Sequence, residues 1–208
     1  SMRTNIELLV ADDKSGMLPE GARSEILDDV SAQLGEFSAL VGDLVALTRD
    51  DHLQRQPEKL DLSEVVEAAL ARAARRGPNI TFHTTLEPVP ILGDAPTLER
   101  AITNLLDNAV KFSPSDGEIW VELTSAGVLT IVDSGPGVAD EDLPHIFDRF
   151  YRSDRARNTP GTGLGLAIVT HTVEAHGGSV RAGNQPGAGA KFTMRLPVLA
   201  APESPLSP

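Results

Sequence analysis

The chain has 208 residues, 18 Lys and Arg against 30 Asp and Glu, a net charge of −12, 40% hydrophobic and 4% aromatic residues, and no cysteine. At roughly 150 residues per domain, that length predicts one domain plus a smaller unit, with enough chain to bury a core. The lack of cysteine excludes disulfides, Cys-ligated metal and thiol chemistry, and the acidic balance argues against a nucleic-acid partner, because neutralising phosphates needs a basic face.

Ser1 ahead of Met2 reads as a cloning remnant, so native sequence is expected to begin near Arg3, with no charged-then-apolar leader. No apolar run approaches the ~20 residues that cross a bilayer, so a soluble chain without membrane contact is expected. Arg3 to Ala11 has apolar residues at helical spacing, a loop follows, and a second helix is predicted from Arg23 to about Asp51. In that helix Ile26, Val30, Leu34, Phe37, Val41, Leu44 and Leu47 recur every three or four residues, a seam of the coiled-coil or bundle kind. Nine residues of first helix cannot cover it, so it is expected to pack on a second copy of the hairpin, or else on the chain's own globular part.

The polar stretch Asp50 to Lys59 contains Pro57 and reads as a linker. Beyond it the pattern predicts a helix from Ser63, which can cap, to Arg76; strands at 80–86 and 89–92; and a helix at 95–112. Strands at 118–124 and 128–132 follow, then a short helix at 141–150, a helix from Gly163 to about His176, and closing strands at 179–182 and 190–196. Tight turns such as Ser125-Ala126-Gly127 favour an α+β fold with a mixed, mainly antiparallel sheet. The resulting units are a partial hairpin at 3–51, a linker at 52–62, a domain at 63–197 and a Pro- and Ser-rich tail at 198–208 expected to be disordered.

Four stretches can carry chemistry. In RAITNLLDNAVKF, Asn104, Asn108 and Lys111 share one helix face, where amide oxygens suit Mg²⁺ and a lysine suits phosphate; an ordinary surface helix would look the same. IVDSGPGV ends a buried strand at Asp133, with Gly135 and Gly137 letting backbone approach a flat ligand; a carboxylate there suits an exocyclic amine such as adenine's, and a plain turn uses the same residues. PGTGLGLAIV is a glycine-rich loop opening an apolar helix, a ready anion site of low specificity. PGAGAKFTMRLP reads as a glycine hairpin entering the last strand.

Asn104, Asp133 and Gly161 fall about 28 residues apart, with IFDRFYR between the last two. In order and spacing these stretches resemble the N, G1, F and G2 boxes of the ATP-binding domain of two-component sensor histidine kinases, in particular actinobacterial sensors of the mycobacterial persistence and envelope-stress type. The resemblance implies a Bergerat-type (GHKL) ATP-binding α/β sandwich preceded by part of the dimerisation hairpin. It implies ATP and Mg²⁺ as cofactors, with Asn108 on the metal, Asn104 beside it, Lys111 on phosphate, Phe112 lining the adenine pocket and Asp133 accepting from the adenine amine beside Gly135 and Gly137. Phe147, Phe150 and Arg152 match the F box at the hinge of a lid running to Thr162, and Gly161, Gly163, Leu164 and Gly165 would fold it over the triphosphate. Ala190 stands where relatives often have Thr or Ser.

The same resemblance bears on mechanism. ATPases of the gyrase, Hsp90 and mismatch-repair kind have Glu where this chain has Asn104, and a neutral amide cannot take a proton from water, so slow hydrolysis is expected. The phosphate-accepting histidine of the family lies in a His-Glu-x-x-x-Pro context that none of His52, His83, His145, His171 and His176 has. The chain is therefore expected to bind Mg-ATP without labelling itself, while its parent, a plasma-membrane sensor with this part in the cytoplasm, phosphorylates a histidine and then an Asp of a response regulator as a homodimer. A silent nucleotide-binding or dimerisation scaffold is the alternative.

Overall fold

The structure is a computed structural model that describes residues 2–16, 18–19, 21–31, 56–156, 159 and 161–199. Helix α1 (Met2–Ser15) leads through a turn, in which Asp12 accepts the Leu18 N–H at 2.7 Å, to helix α2 over residues 22–31. Ile26 and Val30 are half-buried, while Ile6, Leu8, Val10 and Leu27 stand exposed; the remainder of the predicted seam, from Leu34 on, lies outside the described residues.

The second half of the expected linker is a strand. β1 (Glu58–Asp61) pairs antiparallel with β3 (Pro90–Gly93), and Leu60 packs against the core. Asp61 then caps α3 (Leu62–Arg76), its Oδ1 accepting the N–H groups of Ser63 and Val89, both at 2.9 Å, and the Ser63 hydroxyl at 2.8 Å. Burial alone would raise the Asp61 pKa, but these donors outweigh it and the carboxyl lies below its ordinary value. The cap is thus Asp61 and not Ser63, whose amide is the group satisfied.

Strands β2 (Thr81–Leu86), β4 (Glu118–Thr124), β5 (Val128–Asp133), β6 (Ser179–Asn184) and β7 (Ala190–Arg195) form one sheet in the order β2-β4-β5-β7-β6. All neighbours are antiparallel except β2 and β4, which run parallel because β3 and helix α4 (Ala95–Phe112) cross over between them. Period-2 alternation turns Ile119, Val121 and Leu123 of β4, Leu129 and Ile131 of β5, and Phe192 and Met194 of β7 to one face. There α4 packs between α3 and α5 (Gly165–Ala175), with Leu98, Ile102, Leu105 and Leu106 almost wholly buried.

The stretch predicted as a short helix at 141–150 is instead a run of turns. Pro144 has no N–H to donate and disfavours a helical Leu143, so isolated bonds such as Leu143 N–H to Ala139 O and Ile146 N–H to Asp142 O replace a continuous ladder. At the other end the chain goes on pairing past the last strand, Leu199 N–H donating to Pro90 O at 2.8 Å. The Pro- and Ser-rich residues from 200 onward lie outside the described residues.

Candidate functional site

One face of α4, the C-terminal end of β5, described residues between 134 and 164 and the start of α5 enclose a cavity of about 350 Å³, of small-molecule size. The 3.6-residue period of α4 buries Leu105, Leu106 and Ala109 and turns Asn104, Asn108 and Lys111 into this space. Asn104 Nδ2 donates to Gly165 O at 3.1 Å, tying α4 to the first residue of α5 and leaving Oδ1 as its available acceptor. Asn108 has no side-chain hydrogen bond among the described residues.

Asp133 occupies an inward position of β5, two residues after Ile131, so the alternation that builds the core also buries this carboxylate to 2% exposure. Its Oδ1 accepts the N–H groups of Gly135 and Ala190, each at 2.9 Å, and its backbone oxygen accepts the Gly189 N–H at 2.7 Å. Oδ2 has no partner among the described residues, and Asp133 lines the cavity. Burial pushes its pKa up, against the lowering effect of the two amides. A methyl group at Gly135 would meet Phe112 O at 2.5 Å, so the bare backbone is what lets this turn pass behind Phe112.

Lys111 sits over the Phe112 ring, its Nζ 5.1 Å from the centroid. Burial, and then the charge of Arg152, lower its pKa. The glycine-rich loop reaches it: a Cβ on Gly161 would stand 3.1 Å from Lys111 Nζ. At Gly163 (φ +74°) a Cβ would lie 2.8 Å from Phe150 C, while Phe150 itself takes φ +64° and its N–H donates to Gly163 O at 3.0 Å. This close pairing of two left-handed residues closes the loop at its base.

The sequence-predicted residues Asn104, Asn108, Lys111, Phe112, Asp133, Gly137, Arg152, Gly161, Thr162, Gly163 and Gly165 all line the cavity. Four others do not: Gly135 stands behind the wall, Leu164 is fully buried, Phe150 is 60% exposed, and Phe147 packs against the core. Tyr151, next to Phe150, lines the cavity instead, its hydroxyl donating to Asp142 Oδ1 at 2.6 Å, a bond that with burial pushes its pKa up to about 12. The Arg152 guanidinium donates Nη2 to the carbonyls of Ala156 and Thr159 and so ties the loop together. Sequence reasoning also missed an apolar wall of Val138, Ile146, Leu166 and Phe192; Phe192 was legible as an inward residue of the last strand, whereas Ile146 and Leu166 come to one cavity only through the fold of the loop.

Three of the histidines engage neighbours outside the cavity lining. His83 stacks on Trp120 with ring centroids 5.5 Å apart, His145 lies 3.1 Å from Asp148 Oδ2, and His176 accepts the Asp94 N–H at Nε2 while Nδ1 faces Thr172 O. Among the described residues no group of three or more His, Cys, Asp or Glu could hold a metal ion, and no helix is long and apolar enough to cross a membrane.

Residues 93–200 match the family described as "Histidine kinase-, DNA gyrase B-, and HSP90-like ATPase". The chain is similar to the signal transduction histidine-protein kinase/phosphatase MprB of Mycolicibacterium smegmatis, 44% identical over 90% of this chain and 41% of that protein. It thus spans about two fifths of the length of that curated relative. Among solved structures, a mycobacterial sensor histidine kinase MprB is 40% identical, covering 68% of this chain and 98% of that one, with a TM-score of 0.64. Full-length ShkA in complex with AMPPNP is 27% identical over 88% of this chain and 40% of that one, with a TM-score of 0.68. The α+β sandwich, the cavity walls and these likenesses agree: the chain belongs to the histidine kinase-, DNA gyrase B- and HSP90-like ATPase family and carries the ATP-binding catalytic domain of a sensor histidine kinase.

Proposed function

We propose that this chain holds Mg²⁺-ATP in the α4–β5 cavity, base inward and phosphates toward Lys111 and the glycine-rich loop, as the kinase core of a two-component sensor. The observation that carries the reading is Asp133: a carboxylate at 2% exposure, with one oxygen fixed by two amides and the other without a partner among the described residues, is built to accept from a ligand donor such as the adenine amine. The donor set fits Mg²⁺ arriving with the nucleotide. Asn104 Oδ1 and Asn108 are neutral oxygen ligands on one helix face, too few to retain the ion alone and suited to a cation whose other ligands are phosphate oxygens and water. Bound there, the ion would neutralise phosphate charge; Asn108 would ligate it, Asn104 would orient its waters, and Lys111 would meet phosphate.

Catalytic roles follow from what these side chains can do. Asn104 has no basicity, so the site lacks a base for water at that position and keeps ATP intact for a protein nucleophile. In the parent protein that nucleophile is a histidine, from which an Asp of a response regulator takes the phosphoryl group. Exposed Ile6, Leu8, Val10 and Leu27 on the hairpin support a homodimer, and the likeness to MprB supports a plasma-membrane parent with this domain in the cytoplasm.

Calorimetric titration with ATP and a non-hydrolysable analogue, with and without Mg²⁺, tests the reading. Micromolar to submillimolar binding strengthened by Mg²⁺ is expected, with ATP turnover well below about 1 s⁻¹ and no stable radiolabel on this chain. No binding at millimolar ATP, or turnover at typical enzyme rates, would refute it.

A further inference from the structure

Asn184, the last residue of β6, reaches across to the loop that follows β5. Its Oδ1 accepts the Val138 N–H at 2.8 Å and its Nδ2 donates to Val138 O at 2.7 Å. One carboxamide thus replaces a strand partner for Val138, satisfying both backbone groups of a residue that no ladder pairs. Only one orientation of the amide does this, oxygen to N–H and nitrogen to carbonyl. Gly137, beside it, takes φ +73°, and a Cβ there would stand 2.7 Å from Asn184 Oδ1, so the clasp also depends on a residue without a side chain.

The clasped segment is a wall of the nucleotide cavity: Gly137, Val138 and Ala139 all line it, and Val138 packs against the core. The same hairpin end also holds Asp133. Asn184 is paired with Ala190, whose N–H fixes Asp133 Oδ1, and Gly189 N–H fixes Asp133 O. The β6–β7 hairpin therefore holds both the acceptor and the wall next to it, the first through backbone amides and the second through a single side chain.

We infer that Asn184 is a positioning residue for the base end of the nucleotide site, setting the 137–139 wall against Asp133 without touching the ligand. This rests on the nucleotide reading above and adds to it a residue outside the four motif stretches that first marked the site. The consequence is specific to one end of the ligand. ATP and ADP share the base and differ in phosphate, so loosening the base wall weakens both by the same factor, whereas a change at Lys111 weakens ATP more than ADP.

The test is calorimetric titration of the unsubstituted chain, Asn184→Ala and Asn184→Asp with ATP and with ADP, alongside hydrogen exchange at the Val138 amide. Asn184→Ala should lose affinity about tenfold for ATP and ADP alike, with faster exchange at Val138. Asn184→Asp, which keeps the acceptor for Val138 N–H and loses the donor to Val138 O, should fall between the two. If the unsubstituted chain binds ATP and Asn184→Ala matches it, or loses only ATP, or retains Val138 protection, the positioning role is overturned. If the unsubstituted chain itself binds neither nucleotide, it is the nucleotide reading that fails.

Discussion

Asp133→Asn separates what the buried carboxylate does for binding from what it does for folding. The Oδ1 position must go on accepting the Gly135 and Ala190 N–H groups, so the amide oxygen stays there and the NH₂ takes the place of Oδ2. A donor then faces a ligand donor where a charged acceptor stood. A hydrogen bond to a charged group is worth about 1.5–3 kcal/mol, which predicts roughly 10- to 150-fold weaker ATP binding. Stability should move the other way. Burial raises the folded-state pKa of Asp133, so ionisation opposes folding: the wild type loses stability as pH rises from the ordinary Asp value through the raised one, and is constant above it. The asparagine variant has no such group, so its stability relative to wild type should grow across that interval and then level off. Titration calorimetry at neutral pH and urea unfolding between about pH 3.5 and 8 measure the two effects. Undiminished ATP affinity would refute the acceptor role. A wild type that gains stability over the variant as pH rises would refute the account of the carboxylate's burial.

Two further outcomes test the electrostatics and the core. Lys111 has a lowered pKa, so it sheds its charge at a lower pH than an exposed lysine and ATP affinity should fall early on the alkaline side; Lys111→Arg should carry binding to higher pH, and an unchanged profile would count against Lys111 as the phosphate contact. Leu106→Ala removes a fully buried side chain between α4 and its neighbours and should cost about 2–5 kcal/mol in urea unfolding; a loss under about 1 kcal/mol would mean that α4 is not packed as described.

Much of the domain is written locally. Amphipathic α4 begins and ends where its 3.6-residue pattern predicts, and the alternation of β4 and β5 is visible in their residues, because burying one face imposes a period that the sequence must show. The same logic made Asn104, Asn108 and Lys111 legible, since one helix sets their common face, and Asp133, since it ends a buried strand. Local signals misled where a stronger contact lay elsewhere in the chain. Glu58–Asp61 reads as linker because a short strand in a two-stranded sheet needs little hydrophobicity, and Ser63 reads as a cap although Asp61 also gathers the Val89 amide, 28 residues on.

What tertiary structure alone decided is which of the described residues between 134 and 164 face the cavity. Phe150 and Tyr151 are adjacent aromatics, and only the φ of +64° at Phe150, pinned by Gly163, turns one outward and the other in. Arg152 carries a charge suited to phosphate, yet the folded loop engages it with the carbonyls of Ala156 and Thr159. Asn184 lies 46 residues from Val138 and has no pattern around it to betray the clasp. Period and composition determine how a segment packs, because burial repeats along it; a single side chain's partner across the fold is set by where the backbone happens to bring an unpaired N–H and C=O, and nothing in its own neighbourhood encodes that.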